Sequence, residues 1–133
     1  MFRGKTLAGK WVEGDFSHIL CGDNSVIAGI NNVGEMLHIV TPETVGQFTG
    51  LTDKNGKRIF EGDIVKTECD LWHGENKKER ITRIGVVVYD KKSCQFGINI
   101  ENFSKCFTLK RWKGDYNEVI GNIHDNPDLI KGE

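Results

Sequence analysis

The chain is poor in residues that build helices and has no long apolar run. Its 133 residues include two alanines, seven leucines and two methionines, three of the better helix formers, so a helical bundle is disfavoured. No apolar run approaches the roughly 20 residues that a membrane-spanning helix needs, and the N-terminal residues contain no apolar core of a secretory signal. We therefore expect a cytoplasmic protein that is neither secreted nor bound to a membrane.

Motifs for metal binding and catalysis are also missing. Zinc ligands usually occur in pairs about two to four residues apart, whereas each cysteine here stands alone. No Ser-His-Asp, Cys-His or glycine-rich phosphate motif is present. We therefore expect no metal site, no cofactor and no catalytic residues, and we predict that the protein is not an enzyme. The four cysteines are Cys21, Cys69, Cys94 and Cys106.

A hydrolase-like enzyme is the less favoured alternative that these absences leave open. Catalytic groups are often distant in sequence and meet only in the folded chain. Such a site would be built around His38, His73 or His124 with nearby carboxylates.

No charge of one sign dominates. The 18 lysines and arginines nearly balance 19 aspartates and glutamates, for a formal net charge of -1 and a pI of about 6.4. Dedicated nucleic-acid-binding domains are usually basic, so this composition does not demand a nucleic-acid partner. The 28% of charged and 38% of hydrophobic residues are typical of a globular domain.

Residues that favour strands are abundant. Isoleucine, valine and threonine number 13, 10 and 8, and β-branched side chains pack well on a pleated sheet. The clearest strand is Cys94–Glu101, where apolar residues alternate with polar residues or glycine. It follows Thr82–Tyr89 after the short polar link Asp90–Ser93, so we expect an antiparallel hairpin central to the core.

Three more short strands are predicted upstream, separated by glycine and asparagine turns. They are Trp11–Phe16, Ser25–Ile30 and Met36–Val40. Strands that recur about every ten residues are typical of a barrel or a sandwich. Helix is predicted only near the C-terminus, where Asn126 followed by Pro127 favours one helical turn.

The Asn55-Gly56 pair is the strongest short-range hairpin signal. Both residues tolerate the positive φ of a type I′ turn. That turn would place Asp53 opposite Arg58 on the paired strands.

Two segments of similar pattern indicate a possible duplication of two small β units. Glu43–Phe48 and Glu118–Ile123 each read as Glu, two β-branched residues, Gly, an amide and an apolar residue. A glycine inside a strand bends it or lets a neighbour approach closely.

The block Pro42–Val65, PETVGQFTGLTDKNGKRIFEGDIV, followed by GVVVYD and EVIGNIHDNPDL, resembles the YopX family of phage and prophage proteins. The opening FRGK and Gly9–Val12 are also similar to that family, so the likeness covers most of the chain. The segment Leu71–Arg80 fits least well and is predicted to be a variable loop. The resemblance implies a small all-β protein with an SH3-like barrel, encoded by a phage or prophage and located in the cytoplasm of a bacterial host. It carries over no established activity and no catalytic residues.

We therefore predict an all-β fold: a small SH3-like barrel with additional N-terminal strands and little helix. The sequence GDIV at residues 62–65, followed by GVV at residues 85–87, is similar to the rhythm of such barrels. We expect a tight turn at Gly62 in which the Asp63 side chain accepts a hydrogen bond from the turn backbone. The chain is predicted to be one compact domain over residues 1–133, or an N-terminal β subdomain (1–50) with a barrel (51–125).

Two sequence patches are candidates for binding a partner. The first is a basic cluster with an aromatic residue, in which Trp112 would stack on a base while its neighbours contact phosphates; the alternative is that Trp112 lies in the core. The second is Trp72, which would anchor a protein partner or cap the end of the barrel. The residues of the basic cluster are Lys110, Arg111, Trp112 and Lys113.

Our leading hypothesis is a non-enzymatic binding module that contacts a protein or a nucleic acid. The barrel pattern, the missing catalytic motifs and the family resemblance all point to this class. A structural or assembly component that forms a homo-oligomer through open strand edges is the alternative from another class.

Overall fold

The structure is a computed structural model, and it describes residues 1–32, 37–72, 74–76, 78–100, 107–108 and 117–131. Its regular structure is nearly all antiparallel strand, with one four-residue α-helix among the described residues. The predicted all-β fold with little helix is therefore confirmed. In these ranges no helix combines the length and the apolar character needed to cross a membrane. The chain divides into two compact units, Met1–Phe48 and Thr49–Glu133.

The first unit is built from four strands and the beginning of a fifth. Neighbouring strands are antiparallel, in the order β4-β3-β2-β1-β5. The three upstream strands predicted from the sequence are confirmed as β2, β3 and β4. The elements are β1 (Phe2–Lys5), β2 (Trp11–Leu20), β3 (Val26–Asn31), β4 (Leu37–Val40), a 3-10 helix (Pro42–Thr44) and β5 (Gly46–Thr52).

Alternate residues of these strands form the core of the first unit. The buried side chains are Val12, Ala28, Ile30 and Val40, and the half-buried Phe2, Phe16 and Val45 pack against them. The end of β1 also meets the end of β4, since Thr6 pairs with Val40. A Cβ at Gly4 would lie only 2.9 Å from the Val40 side chain, so glycine permits this close approach.

The second unit begins within β5 and contains a five-stranded antiparallel sheet. The strand order of this sheet is β10-β9-β8-β7-β11, and the short β6 lies beside β5. The terminal helix α1 corresponds to the helical turn predicted from Asn126 and Pro127. The elements are β6 (Arg58–Phe60), β7 (Asp63–Trp72), β8 (Lys78–Asp90), β9 (Gln95–Ile100), β10 (Phe107–Thr108), β11 (Asn117–Asn122) and α1 (Asp128–Lys131).

The two units share one strand order, in which the last strand lies beside the first. The order is β5-β1-β2-β3-β4 in the first unit and β11-β7-β8-β9-β10 in the second. The two similar segments, Glu43–Phe48 and Glu118–Ile123, overlap β5 and β11. A Cβ at Gly121 would lie 2.6 Å from Asn126 Oδ1, which is the close approach expected of a glycine in this segment. The shared order is compatible with an SH3-like barrel, which stays a prediction.

The predicted hairpin of β8 and β9 is confirmed and supplies much of the second core. Val87 lies opposite Ile98 in the register. The start of β9 differs from the prediction, because Cys94 is exposed in the turn at a φ of 54° and the strand begins one residue later. The buried residues of this core are Ile59, Val65, Val87, Ile98 and Ile100.

The turn at Asn55-Gly56 differs from the predicted type I′. Gly56 has a φ of 80°, but Asn55 is not among the residues with positive φ. The Asp53 N–H donates to the Lys57 carbonyl at 2.8 Å, the arrangement of a type I turn that ends in a left-handed glycine. Asp53 therefore lies opposite Lys57, and the predicted pairing with Arg58 is wrong.

The loop predicted over Leu71–Arg80 is shorter than expected, because both ends of this segment are paired strand. β7 continues to Trp72 and β8 begins at Lys78, and these two residues are opposite each other in the register. The chain turns near Gly74, whose φ is 84°. The loop was predicted from its many charged residues, but antiparallel strands tolerate charged side chains on a solvated face.

The predicted turn before β7 is confirmed. Gly62 has a φ of 91°, and the Phe60 N–H donates to Asp63 Oδ2 at 2.8 Å. β7 then begins at Asp63, whose side chain is buried.

The Asp53 carboxylate fixes the turn between β5 and β6 and attaches it to β11. Oδ1 accepts hydrogen bonds from the Asn55 and Lys57 N–H groups, each at 2.9 Å. Oδ2 accepts one from the Val119 N–H, also at 2.9 Å, from a residue 66 positions away. Asp53 is 4% exposed, so these three donors are its substitute for water.

Two contacts of Lys54 strengthen the same attachment. Its N–H donates to the Asn117 carbonyl at 3.0 Å, and its Nζ lies 3.1 Å from Glu118 Oε2. The ion pair is partly exposed and contributes little by itself, so the buried carboxylate of Asp53 is the main element of this attachment.

We predict that Asp53→Ala lowers the free energy of unfolding by about 3 kcal/mol, because it leaves three backbone donors without their charged acceptor. Urea denaturation at neutral pH measures the change. The matched control is Asp23→Ala, which alters an exposed aspartate in the turn between β2 and β3 and should have a much smaller effect. Equal effects of the two substitutions would contradict the special role of Asp53.

We predict a defined pH dependence for the contribution of Asp53. Burial opposes ionisation of this carboxyl, but the hydrogen bonds from Val119, Lys57 and Asn55 outweigh it and lower its pKa below the ordinary 3.8. A lowered folded-state pKa stabilises the fold above the unfolded pKa of about 3.9, and the stabilisation disappears as the pH falls through the folded value. The difference in unfolding free energy between the native protein and Asp53→Asn should therefore be constant above about pH 5 and shrink below about pH 4. A difference that grows on acidification would contradict this assignment.

Candidate functional site

The binding residues predicted from the sequence fall outside what the structure describes. Lys110, Arg111, Trp112 and Lys113 lie outside the described residues. For Trp72 only the backbone is described, at the end of β7. A role of these residues in binding stays a prediction.

The carboxyl groups with shifted pKa values serve turns. A hydrogen bond from the Ser25 hydroxyl, at 2.6 Å, lowers the pKa of Asp23. A hydrogen bond from the Ser93 hydroxyl, at 2.8 Å, likewise lowers the pKa of Asp90. A general acid that works near neutral pH needs a raised pKa, so these carboxylates are poor candidates for that role. Within the described ranges, no three His, Cys, Asp or Glu residues are gathered to hold a metal ion.

A basic and aromatic grouping is present on β1 and β2. The guanidinium carbon of Arg3 lies 4.8 Å from the centroid of the Trp11 ring, and Lys5 Nζ lies 6.0 Å from it. Both cations are half-buried. The grouping has the chemistry predicted for residues 110–113, but Arg3 occupies a ring face on which a base would stack. It is therefore a poor nucleic-acid site.

Strands β2, β3 and β4 present a face opposite to the core. Because side chains alternate along a strand, the neighbours of the buried Ala28 and Ile30 in β3 point away from the core. The register extends this second face across all three strands. Its three cross-strand rows, which together we call the outer face, are Asp15-Asn31-Leu37, Ser17-Gly29-Ile39 and Ile19-Ile27.

Four side chains of the outer face form an apolar patch. Leu37 is 43% exposed and Ile39 is 50% exposed. A Cβ at Gly29 would lie 2.9 Å from Leu37 Cδ1 and 3.1 Å from Ile19 Cδ1, so these side chains close over the glycine. Contiguous exposed apolar surface is typical of interaction sites. The apolar patch consists of Ile19, Ile27, Leu37 and Ile39.

The free end of the β2–β3 hairpin is apolar on its other side as well. Leu20 and Val26 lie opposite each other and are 69% and 55% exposed. The ring of His18 packs edge-on against Phe16 at 4.7 Å. The hairpin therefore exposes apolar groups on both faces where it projects from the core.

The turn Cys21–Ser25 sets the register that creates the outer face. The Cys21 N–H donates to the Ser25 carbonyl at 2.8 Å, and the Asn24 N–H donates to the Cys21 carbonyl at 3.0 Å. Asn24 has a φ of 67°, a left-handed conformation that asparagine tolerates better than most residues. A slip of one residue would exchange the buried and exposed faces.

Strands β2, β3 and β4, which carry the apolar patch, contain no lysine or arginine, but the neighbouring strand β1 places Arg3 opposite Glu13 and Lys5 opposite Trp11. From Trp11 to Val40 the sequence has no lysine or arginine, although the chain contains 18. Because Arg3 and Lys5 alternate with the core-facing Gly4, they lie on the same face of the sheet as Glu13 and Asp15 and offset their charge. The acidic residues of this stretch are Glu13, Asp15, Asp23 and Glu35.

The edge strand β4 is poorly suited to pairing with a strand of a partner, so a partner is expected to contact side chains instead. β4 ends the strand order and carries no charged residue to protect it. However, it has only four residues, and the Thr41 N–H that follows it already donates to the Lys5 carbonyl at 2.8 Å. The outer face is therefore the more complete surface for a partner.

The sequence analysis missed the outer face. The available signals were the absence of lysine and arginine from residues 11–40 and the consecutive apolar pairs at residues 19–20 and 26–27. Paired apolar residues in a strand place one side chain on each face, so one of them is left outside a core that covers a single face.

The fold and the site together define an all-β protein whose first unit exposes an apolar patch on one face of its sheet. The protein-family model described as YopX protein matches residues 2–131 of the chain. The chain therefore belongs to the YopX family. The crystal structure of protein EF1440 from Enterococcus faecalis is similar, with a TM-score of 0.51 and 24% identity over 97% of this chain and 96% of that one. This likeness shows the fold. The curated proteins include no match to the chain.

Proposed function

We propose that the protein is a non-enzymatic binding module whose first unit docks a protein partner on the outer face. The observation that carries the proposal is the apolar patch around Gly29, which is open on a face that the core does not use. Large apolar side chains left exposed together have a hydration cost that a partner removes.

The size of the patch suits a specific but modest interaction. Full burial of a leucine or isoleucine side chain contributes about 1.5–3 kcal/mol. Leu37 and Ile39 are about half exposed, so covering each would contribute roughly 1 kcal/mol. Several such contacts at the centre of an interface are the usual source of protein binding energy.

The same surface disfavours a nucleic-acid partner. Nucleic-acid binding depends on lysine and arginine near the phosphates. Strands β2, β3 and β4 contain neither, and the cations of the adjacent β1, Arg3 and Lys5, lie against the Trp11 ring. The sequence-predicted cluster Lys110–Lys113 remains the place where a nucleic acid would bind in the alternative version of the hypothesis.

We also propose that the protein is encoded by a phage or prophage and acts in the cytoplasm of a bacterial host. The resemblance of the block Pro42–Val65 to phage and prophage proteins supports this origin.

We predict that a photo-crosslinking amino acid at position 37 or 39, placed in the protein in its native cell, captures a defined protein that the same probe at Tyr89 does not capture. Tyr89 is the matched control because it is 45% exposed and lies in β8 of the second unit. With the captured protein purified, Ile39→Ser should weaken binding about tenfold, and Tyr89→Ser should leave it unchanged.

Two results would contradict the proposal. One is equal loss of binding for Ile39→Ser and Tyr89→Ser. The other is a cross-link only to a second copy of the chain, which would favour the assembly alternative. Urea denaturation of both variants shows that each is folded and that the comparison concerns binding alone.

A further inference from the structure

We infer that Asn55 is a site of spontaneous deamidation, and that the Asp53 carboxylate holds this reaction in check while the turn between β5 and β6 is closed. The inference is independent of partner binding on the outer face. It assigns a chemical modification to the Asn55-Gly56 pair and a gating role to a buried residue that also serves stability.

The Asn55-Gly56 pair has the sequence and the exposure that the reaction requires. It is the one place in the sequence where glycine follows asparagine, and both residues are exposed. Glycine has no Cβ to shield its backbone nitrogen, so the nitrogen of Gly56 is able to approach the side-chain amide of the residue before it. Solvent reaches both reacting groups.

The reaction needs no cofactor and no oxidant. Hydroxide from the solvent removes the proton of the Gly56 N–H, and the nitrogen attacks Cγ of Asn55. As this bond forms, the bond from Cγ to the side-chain nitrogen breaks, and that nitrogen takes a proton from water and leaves as ammonia. Water then opens the cyclic imide at either of its two carbonyl groups. The products are aspartate, with the ordinary backbone, and isoaspartate, in which the backbone runs through the side chain.

The hydrogen bonds of the closed turn oppose the first step. The Gly56 N–H donates to the Asp53 carbonyl at 3.0 Å, so removing its proton breaks that bond and leaves two electron-rich atoms facing each other. The Asp53 carboxylate also accepts the N–H groups on both sides of Gly56, those of Asn55 and Lys57, each at 2.9 Å. Its negative charge therefore lies close to the nitrogen that would become an anion, and like charges repel.

The conformation of the turn keeps the reacting atoms apart as well. In a type I turn the third residue, here Asn55, has a ψ of about 0°, which directs the Gly56 N–H across the turn to the Asp53 carbonyl. Ring closure requires rotation about this bond until the Gly56 nitrogen faces Cγ. That rotation breaks the hydrogen bond to Asp53, so the turn must open before it reacts. The rate in the folded protein is therefore set by local opening of the turn.

Deamidation to isoaspartate also detaches the turn from β11. The extra backbone carbon between residues 55 and 56 displaces the N–H groups that Asp53 accepts within the turn. The same carboxylate accepts the Val119 N–H at 2.9 Å, so a turn that no longer closes leaves Val119 without its charged acceptor. Because the ammonia is lost to solvent, this change is permanent.

The test incubates the full chain in mildly alkaline buffer and follows residue 55 by mass spectrometry of the digested protein. The same chain in guanidinium chloride supplies the rate of the open turn. We expect Asn55 to react at least about tenfold more slowly in the native protein than in guanidinium chloride. Asp53→Ala should remove most of that difference.

Two further variants separate the gate from general unfolding. Asp53→Ser keeps a residue that favours turns but removes the charge, and in this variant, shown to be folded by urea denaturation, Asn55 should react about threefold or more faster than in the native protein. The matched control is Asp23→Ala in the turn between β2 and β3, which should leave the rate at Asn55 unchanged.

Hydrogen exchange measures the predicted detachment. In the isoaspartate form, separated by ion exchange, the Val119 N–H should exchange with deuterium at least about tenfold faster than in the native protein. Unchanged exchange at Val119 would overturn the predicted loss of attachment.

Three results would overturn the inference of a gated site. They are absence of deamidation at Asn55 in both conditions, equal rates in the native protein and in guanidinium chloride, and an acceleration by Asp23→Ala as large as that by folded Asp53→Ser. None of these results bears on whether a protein is captured at positions 37 and 39.

Discussion

The pairing register of β2 with β3 is the constraint on which the outer face depends. The Cys21–Ser25 turn closes the hairpin, and a Cβ at Gly14 would collide with the Asn31 carbonyl oxygen, so glycine is required where the two strands come closest. This register places Phe16 opposite Ile30, and both side chains lie on the face that forms the core. Because side chains alternate along a strand, the residues on either side of Phe16 in β2 and of Ile30 in β3 face outward.

The two units divide the physical tasks of the protein. In the second unit, a buried carboxylate joins a turn to a distant strand, and its three hydrogen bonds serve stability. In the first unit, the core uses one face of the β2–β3–β4 sheet, and apolar side chains on the other face contribute little to that core. Residues with no part in the core and an exposed apolar surface are the ones free to bind a partner.

Sequence reasoning predicted the strands well and the candidate site poorly, for identifiable reasons. The β8–β9 hairpin was predictable because inward residues such as Ile98 are apolar and outward ones polar. The type of the Asn55-Gly56 turn was not, because the Asp53 carboxylate that shapes it also binds Val119, which is distant in sequence. The outer face escaped prediction because Ile19 and Ile27 each adjoin another apolar residue. Such a pair shows that both faces are apolar without showing which one stays uncovered.

The central claim is that the outer face is exposed in the free protein and covered by the partner. The most direct measurement is the relaxation of isoleucine and leucine methyl groups by a soluble paramagnetic probe. In the free protein, the methyl groups of Leu37 and Ile39 should relax strongly while those of Ile30 stay protected, and adding the captured partner should protect Leu37 and Ile39. Protection of Leu37 and Ile39 before the partner is added, or their continued exposure in the complex, would contradict the account.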